Sequence, residues 1–241
     1  MQTTNSNALS NIGREALRIV LPSWCVVCDQ PLPWRDRRAS CCGDCWRSLP
    51  RLTGSRCRSC ALPLPAGEDV ICISCSADPL PVDWCDAWGE YTGGLERLLH
   101  AFKFGRHEFL DASLATLLHE TRDDFSFDAI VPVPMHWAKE RRRGYNQAEL
   151  LARALGKRTG IACDARLLAK RQENETQSLL ARAARRENVR NSFEASPRAS
   201  GKSILIVDDI CTTGETFRAC ARAFVRAGAK RVCAISVAKA V

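Results

Sequence analysis

Apolar residues along the 241-residue chain fall into two alternating patterns after residue 80. Short continuous runs at residues 86–91, 129–133 (A-I-V-P-V), 203–208 and 231–237 read as strands. The run I-L-I-V at Ile204–Val207 suits a strand buried on both faces of a parallel sheet. Between these runs the apolar spacing is helical. Leu95, Leu98, Leu99 and Phe102 form one face, opened by Gly93-Gly94 and ended by Gly105. Leu114, Leu117 and Leu118 mark a helix over about 112–122, and Ala148, Leu151, Ala152 and Leu155 mark another over 146–157. A final helix spans 215–227, with Gly228 as its C′ glycine. Strands alternating with helices predict an α/β domain over 81–241, a parallel sheet flanked by helices. Ahead of it, Leu9, Ile12, Ala16, Leu17, Ile19 and Val20 share a face of an amphipathic helix within 1–22, ended by Pro22.

Residues 23–80 show neither pattern and carry cysteine instead. Eight of the fourteen cysteines lie in four C-x-x-C pairs: Cys25 and Cys28, Cys42 and Cys45, Cys57 and Cys60, Cys72 and Cys75. A C-x-x-C turn places two thiolates on one side of a tight knuckle, and two knuckles complete a tetrahedral S₄ site suited to Zn²⁺. Sequential pairing leaves thirteen and eleven residues inside the two sets, close to zinc-ribbon spacing. An interleaved pairing would use the same residues, and Cys41 competes with Cys42 for one position. Four thiolates close each site, which makes the two zinc ions structural and leaves no place for a catalytic water. Metal-bound thiolates are also not free to cycle as redox pairs. No apolar stretch approaches the length of a membrane span, so membrane insertion is not expected, and unpaired thiols of this kind suit a cytoplasmic location.

Charge sharpens the picture further. The chain carries a formal +8, but residues 1–85 hold nine Lys and Arg against eight Asp and Glu, whereas residues 139–202 hold sixteen against seven. Basicity is therefore local. It could serve a polyphosphate, a nucleic-acid backbone or solubility. Val133 leads into a loop with Lys139, Arg141, Arg142, Arg143 and Gly144, on the side where α/β sheets bind ligands. Residues 163–200 combine many cations, Lys170 and Arg171 among them, with few large apolar groups, as a mobile lid would.

Chemistry concentrates in Ile204–Thr216, I-L-I-V-D-D-I-C-T-T-G-E-T. A buried strand runs into Asp208 and Asp209, then a turn with Thr212, Thr213, Gly214, Glu215 and Thr216 opens a helix. Backbone N–H groups and the helix dipole converge at such a turn and favour an anion. The carboxylates would repel a phosphate, so they suit sugar hydroxyls or a hydrated Mg²⁺. The combination describes a pocket for a ribose 5-phosphate.

This string resembles the PRPP-binding motif of type I phosphoribosyltransferases. V-P-V-P…R-R-G-Y-N-Q-A-E-L-L-A and Y-T-G-G-L-E-R-L-L-H-A-F-K-F-G resemble, more narrowly, the ComF family of DNA-uptake competence proteins, GntX-type members included. The resemblance implies a type I phosphoribosyltransferase-like sheet behind a double zinc ribbon. It implies that Asp208 and Asp209 hold the ribose hydroxyls of PRPP with Mg²⁺, that the turn from Thr212 to Thr216 cradles the 5′-phosphate, and that Lys139 and Arg143 meet pyrophosphate or nucleic acid. Lys170 and Arg171 would belong to the family's flexible loop. Single-stranded DNA and a competence helicase or recombination mediator are the implied partners. One departure matters. Thr212 stands where purine-salvage members carry an acidic residue that helps the incoming base, so transfer to a purine is not expected. Two classes of function remain, an enzyme with an unidentified acceptor and a binding protein of a DNA-uptake apparatus.

Overall fold

The structure is a computed structural model that describes residues 24–32, 40–65, 71–105, 107–170 and 192–241. The helix expected at 8–21, Arg171 and most of the expected lid lie outside these residues. Two short helices, α1 (Gly43–Arg47) and α2 (Ile73–Ala77), belong to the cysteine region. There follow β1 (Trp84–Glu90), α3 (Gly93–Phe104), α4 (Asp111–Glu120), β2 (Ala129–Pro132), α5 (Trp137–Arg143) and α6 (Gln147–Thr159). The chain then forms β3 (Leu168–Lys170), β4 (Phe193–Ala195), β5 (Ser203–Cys211), α7 (Glu215–Arg226) and β6 (Arg231–Lys239).

Four strands make a parallel sheet in the order β1-β6-β5-β2. The run Ile204–Val207 is fully buried, and its residues alternate between two cores. Leu205 and Val207 face a core built with Leu98, Phe102, Leu114 and Leu151 of α3, α4 and α6. Ile204 and Ile206 face the other core, with Phe217, Ala221 and Phe224 of α7. Successive residues on a strand point to opposite faces. At about 25 cal/mol per Å² of apolar surface removed from water, covering both faces is the main stabilising contribution. It also pins the register, since a one-residue slip would exchange the two faces.

The structure departs from the sequence pattern in three places. β5 does not stop at Asp208 but continues to Cys211, because β6 keeps pairing with it through Lys239. The basic segment after Val133 is not a loop. Residues 137–143 form a helix, capped by the His136 ring accepting from Ala138 N–H and ended by Gly144 at φ 93°. The segment expected as a lid is rooted in an antiparallel pair, β3 with β4.

The cysteine region is two copies of one design. In each, the first C-x-x-C turn bends back through a residue of positive φ, Asp29 and Ala61. Cys25 and Cys57 accept at their carbonyls from those residues' N–H groups and donate their own N–H to Gln30 and Leu62. The second C-x-x-C opens α1 or α2. Each copy docks on a glycine that starts a helix of the sheet domain. A Cβ at Gly94 would sit 3.1 Å from Leu49 and 3.3 Å from Val27 of the first copy. At Gly214 it would meet Leu80 at 3.4 Å and Cys60 at 3.9 Å, beside the second. Between the copies, residues 50–58 run along the free edge of β1, with Leu52 N–H to Trp88 O, Glu90 N–H to Pro50 O and Cys85 N–H to Arg58 O. That covers an otherwise exposed sheet edge.

Buried Arg218 of α7 locks the second copy in place. It donates to Pro79 O at 2.8 Å and pairs with Asp78 at 3.0 Å and Glu215 at 3.1 Å. Arg222 reaches the same Asp78 from a more exposed position, at 3.3 Å. Removing a buried donor strands its partners, at a cost of about 1–3 kcal/mol, whereas an exposed pair contributes about 0–1 kcal/mol. Arg218→Ala is therefore expected to lower the urea midpoint clearly more than Arg222→Ala. Equal shifts in equilibrium denaturation would contradict this anchoring role.

Candidate ligand pocket and metal sites

Parallel strands deliver their carboxyl ends to one edge of the sheet, and β5 delivers Asp208 and Asp209 there. Being neighbours on a strand, the two side chains leave on opposite faces. Asp209 is buried and meets the Lys103 ammonium of α3 at 3.2 Å. Asp208 lies on the α7 side and accepts from the Asp209 N–H at 2.8 Å. Enclosure of the Asp208 carboxyl, and then the Asp209 charge beside it, raise it well above the usual carboxylate range, with Lys103 opposing. Tyr91 faces the same charge. Burial first, then Glu96 and Asp209, raise its phenol.

Beyond Cys211 the chain turns into α7. Thr212, Thr213, Glu215 and Thr216 are exposed, and Gly214 takes φ 84°, a left-handed conformation that a side chain would strain. The turn is fixed from beneath. Lys239, buried at the end of β6, donates from its ammonium to Thr212 O, and Thr213 Oγ1 accepts from Glu215 N–H at 3.4 Å. Glu215 is directed along α7 to Arg218 and not into the pocket. Hydroxyls and N–H groups at the opening of a twelve-residue helix, above a buried ammonium, favour a phosphate.

The basic helix α5 supplies a second surface. Lys139, Arg141, Arg142, Arg143, Gly144 and Tyr145 line a cavity of about 640 Å³ together with Lys103 and Phe104. Arg143 donates to Gln147 at 2.6 Å and lies over the exposed Phe104 ring, 4.9 Å from its centre. Asn146 caps α6 and ties this segment back to Val133 O at 3.1 Å. The Gln147 amide nitrogen is buried without a partner among the described residues. Lys170 does not line this cavity. Its ammonium sits over Phe193, 5.7 Å from the ring centre.

Tyr91 and Lys103 are marked in the sequence only by the ComF-like string that contains them, and Lys239 carries less signal still. Lys103 ends an amphipathic helix, where a cation is ordinarily solvated, and its partner lies in the chain's last third. Lys239 gives one hint, as a lysine within a strand otherwise wholly apolar from Val232 except for Ser236.

The eight C-x-x-C thiols gather as two sequential tetrads, Cys25, Cys28, Cys42 and Cys45, and Cys57, Cys60, Cys72 and Cys75. Within each, all sulfurs lie within 4.8 Å of one another. Cys28 and Cys42 are 3.9 Å apart, and Cys60 and Cys72 3.8 Å. A tetrahedron with Zn–S bonds of about 2.3 Å has edges of about 3.8 Å, so both sets fit zinc. Cys41 stands outside, its thiol pushed up to about 12 by burial and then by Cys25. Burial opposes ionisation of Cys25, yet the N–H groups of Cys42, Cys28 and Val27 outweigh it and bring the thiol down to about 6. Cys72, Ser59 and Cys60 bring Cys57 to about 7 in the same way. The second tetrad is fully buried and shares a core with Phe217 and Cys220 of α7, with Cys211 Sγ directed at Cys60 O.

Elemental analysis is expected to find about two zinc per chain, both removed by a strong chelator with loss of cooperative unfolding. Backbone amide exchange over 211–218 should rise in Cys60→Ser more than in Cys28→Ser, since only the second tetrad abuts that turn. The reverse order would contradict the docking described above.

Comparison with known proteins agrees with this architecture. The phosphoribosyl transferase domain matches residues 107–240 and the double zinc ribbon domain matches residues 16–89. The DNA utilization protein YhgH of Salmonella typhimurium is 32% identical over 221 residues, spanning 89% of this chain and 96% of that protein. Competence protein F of Haemophilus influenzae is 26% identical, covering 83% of this chain and 84% of the relative. For competence protein ComFC of Bacillus subtilis the identity is 27%, with 85% and 89% covered. Two thiol tetrads, a parallel sheet with its acidic pair at the carboxyl edge and these matches over nearly the whole length place the chain in the ComF family, as a double zinc ribbon joined to a phosphoribosyl transferase domain.

Proposed function

We propose that the chain binds PRPP with Mg²⁺ at the carboxyl edge of β5 and serves DNA uptake in the cytoplasm by handling incoming single-stranded DNA. The observation that carries the pocket is the joint placement of an acidic pair and an N–H- and hydroxyl-lined turn, with a cation cavity beside them. Thr212 to Thr216 would take the 5-phosphate, and Asp208 and Asp209 the ribose hydroxyls. Their oxygens also suit Mg²⁺, which would neutralise charge on the leaving diphosphate. Lys139 and Arg143 would face the diphosphate or a DNA backbone. The exposed ring of Phe104 lines the cavity with these cations and exposed Trp137 opens α5, and aromatic rings beside cations suit base stacking. The names of the relatives, DNA utilization and competence proteins, point to the same use.

For the second reading, transfer of phosphoribose to an acceptor, the described turn before α7 offers no general base. Thr212 cannot serve near neutral pH, and Glu215 is held by Arg218. Binding is therefore the better supported activity, and pyrophosphate release over a panel of acceptors would decide for transfer.

Calorimetric titration of PRPP with Mg²⁺ should show one site per chain, weakened by about tenfold or more in Asp208→Asn and Asp209→Asn. Because the Asp208 carboxyl is raised, and only its ionised form holds a cation, affinity should fall on acidification above the usual carboxylate range. No heat with the wild type would remove this reading. Oligonucleotide binding should weaken with salt, and neutralising Arg141, Arg142 and Arg143 together should flatten the log–log slope by about two. An unchanged slope would place DNA elsewhere.

A further inference from the structure

Lys103 stands at the boundary between two surfaces of opposite charge. Its ammonium is 3.2 Å from Asp209 Oδ2, and the same side chain lines the cavity that Lys139, Arg141, Arg142 and Arg143 make strongly positive. The side chain is only 21% exposed, so its position is set by the fold and not by solvent. Its backbone is fixed as well. Phe102 next to it is fully buried, and Tyr145 donates to Phe102 O at 2.5 Å, joining the end of α3 to the residue that follows the basic helix.

We propose that Lys103 determines ligand specificity by grasping the diphosphate on C1, so that the pocket prefers a ribose phosphorylated at both ends to ribose 5-phosphate. This rests on the phosphoribosyl reading above and adds a residue and a selectivity to it. An ammonium has three donors, and Asp209 occupies one. The remaining two can serve phosphate oxygens entering from the cavity side. A ribose whose hydroxyls rest on Asp209 presents C1 next to those hydroxyls, hence next to Lys103. The other cavity cations approach from α5, so a diphosphate there would be held between α3 and α5. Ribose 5-phosphate carries nothing to fill that space and would leave Lys103 with Asp209 alone.

A purely structural role, neutralising Asp209, makes a different prediction, because it would affect both ligands alike. The test is calorimetry on the full-length, zinc-loaded protein with PRPP–Mg²⁺ and with ribose 5-phosphate. Lys103→Gln and Lys103→Arg are compared with wild type, and each variant is first matched to it in thermal melting. Expected is a loss of about tenfold or more for PRPP and less than about threefold for ribose 5-phosphate in Lys103→Gln, with most PRPP affinity kept in Lys103→Arg. Equal loss for both ligands, or no loss for PRPP, would overturn this assignment while leaving the pocket in place. Absence of PRPP binding in the wild type would instead remove the underlying reading, and the assignment with it. Should Lys103→Gln not fold, a Lys103→Gln/Asp209→Asn double variant, which leaves no unpaired carboxylate, is compared with Asp209→Asn alone. A further loss confined to PRPP supports the assignment, and an equal further loss for both ligands, or none for PRPP, contradicts it.

Discussion

Burial of Ile204–Val207 on both faces is the constraint from which the rest of the molecule follows. Alternate residues of this strand enter two different cores, so its register cannot shift without placing every side chain on the wrong side. Fixing those four residues fixes the next ones. Asp209 must leave toward α3 and Asp208 toward α7, and the turn to α7 must begin where β6 stops pairing, after Cys211. A ligand between the acidic pair and the turn into α7 would therefore meet groups set by the core itself. That is the preorganisation on which recognition of a charged sugar depends.

Electrostatics around the edge is balanced, not uniformly positive. Two adjacent carboxylates would repel a phosphorylated ligand and each other, and the structure answers with Lys103 against Asp209 and buried Lys239 beneath Thr212. The zinc ribbons contribute by packing. Each is anchored at a helix-opening glycine, and the second places Cys60 and Leu80 against Gly214. A small cysteine-rich segment that could not build a core alone thus acquires one by sharing that of the sheet domain. The second tetrad and the turn that opens α7 are neighbours for that reason.

Much of this was legible in the sequence because its causes are local. The I-L-I-V run, the four C-x-x-C turns and the helical spacing of Leu95 to Phe102 each announce an element through a few consecutive residues. The misses have non-local causes. Strand β5 outlasts Asp208 because its partner β6 continues, which depends on pairing across the sheet. The basic segment after Val133 looked like a loop by its charge, yet His136 and Gly144 cap it as a helix. The sequential tetrads, by contrast, follow the local spacing of the C-x-x-C pairs, and the fold agrees, with Cys41 left outside them. Lys103 was marked only by the ComF-like string that contains it, and its partner Asp209 lies on another element far along the chain.

In the proposed function, one edge of the sheet holds a phosphoribosyl ligand from three directions. A crystal structure of the protein grown with PRPP and Mg²⁺ tests it most directly. Expected are the 5-phosphate on the turn from Thr212 to Thr216, the ribose hydroxyls on Asp208 and Asp209, and the diphosphate facing Lys103 and the α5 cations. Ligand bound away from Asp208 and Asp209, or lying in the reverse direction with the diphosphate on the turn, would contradict it.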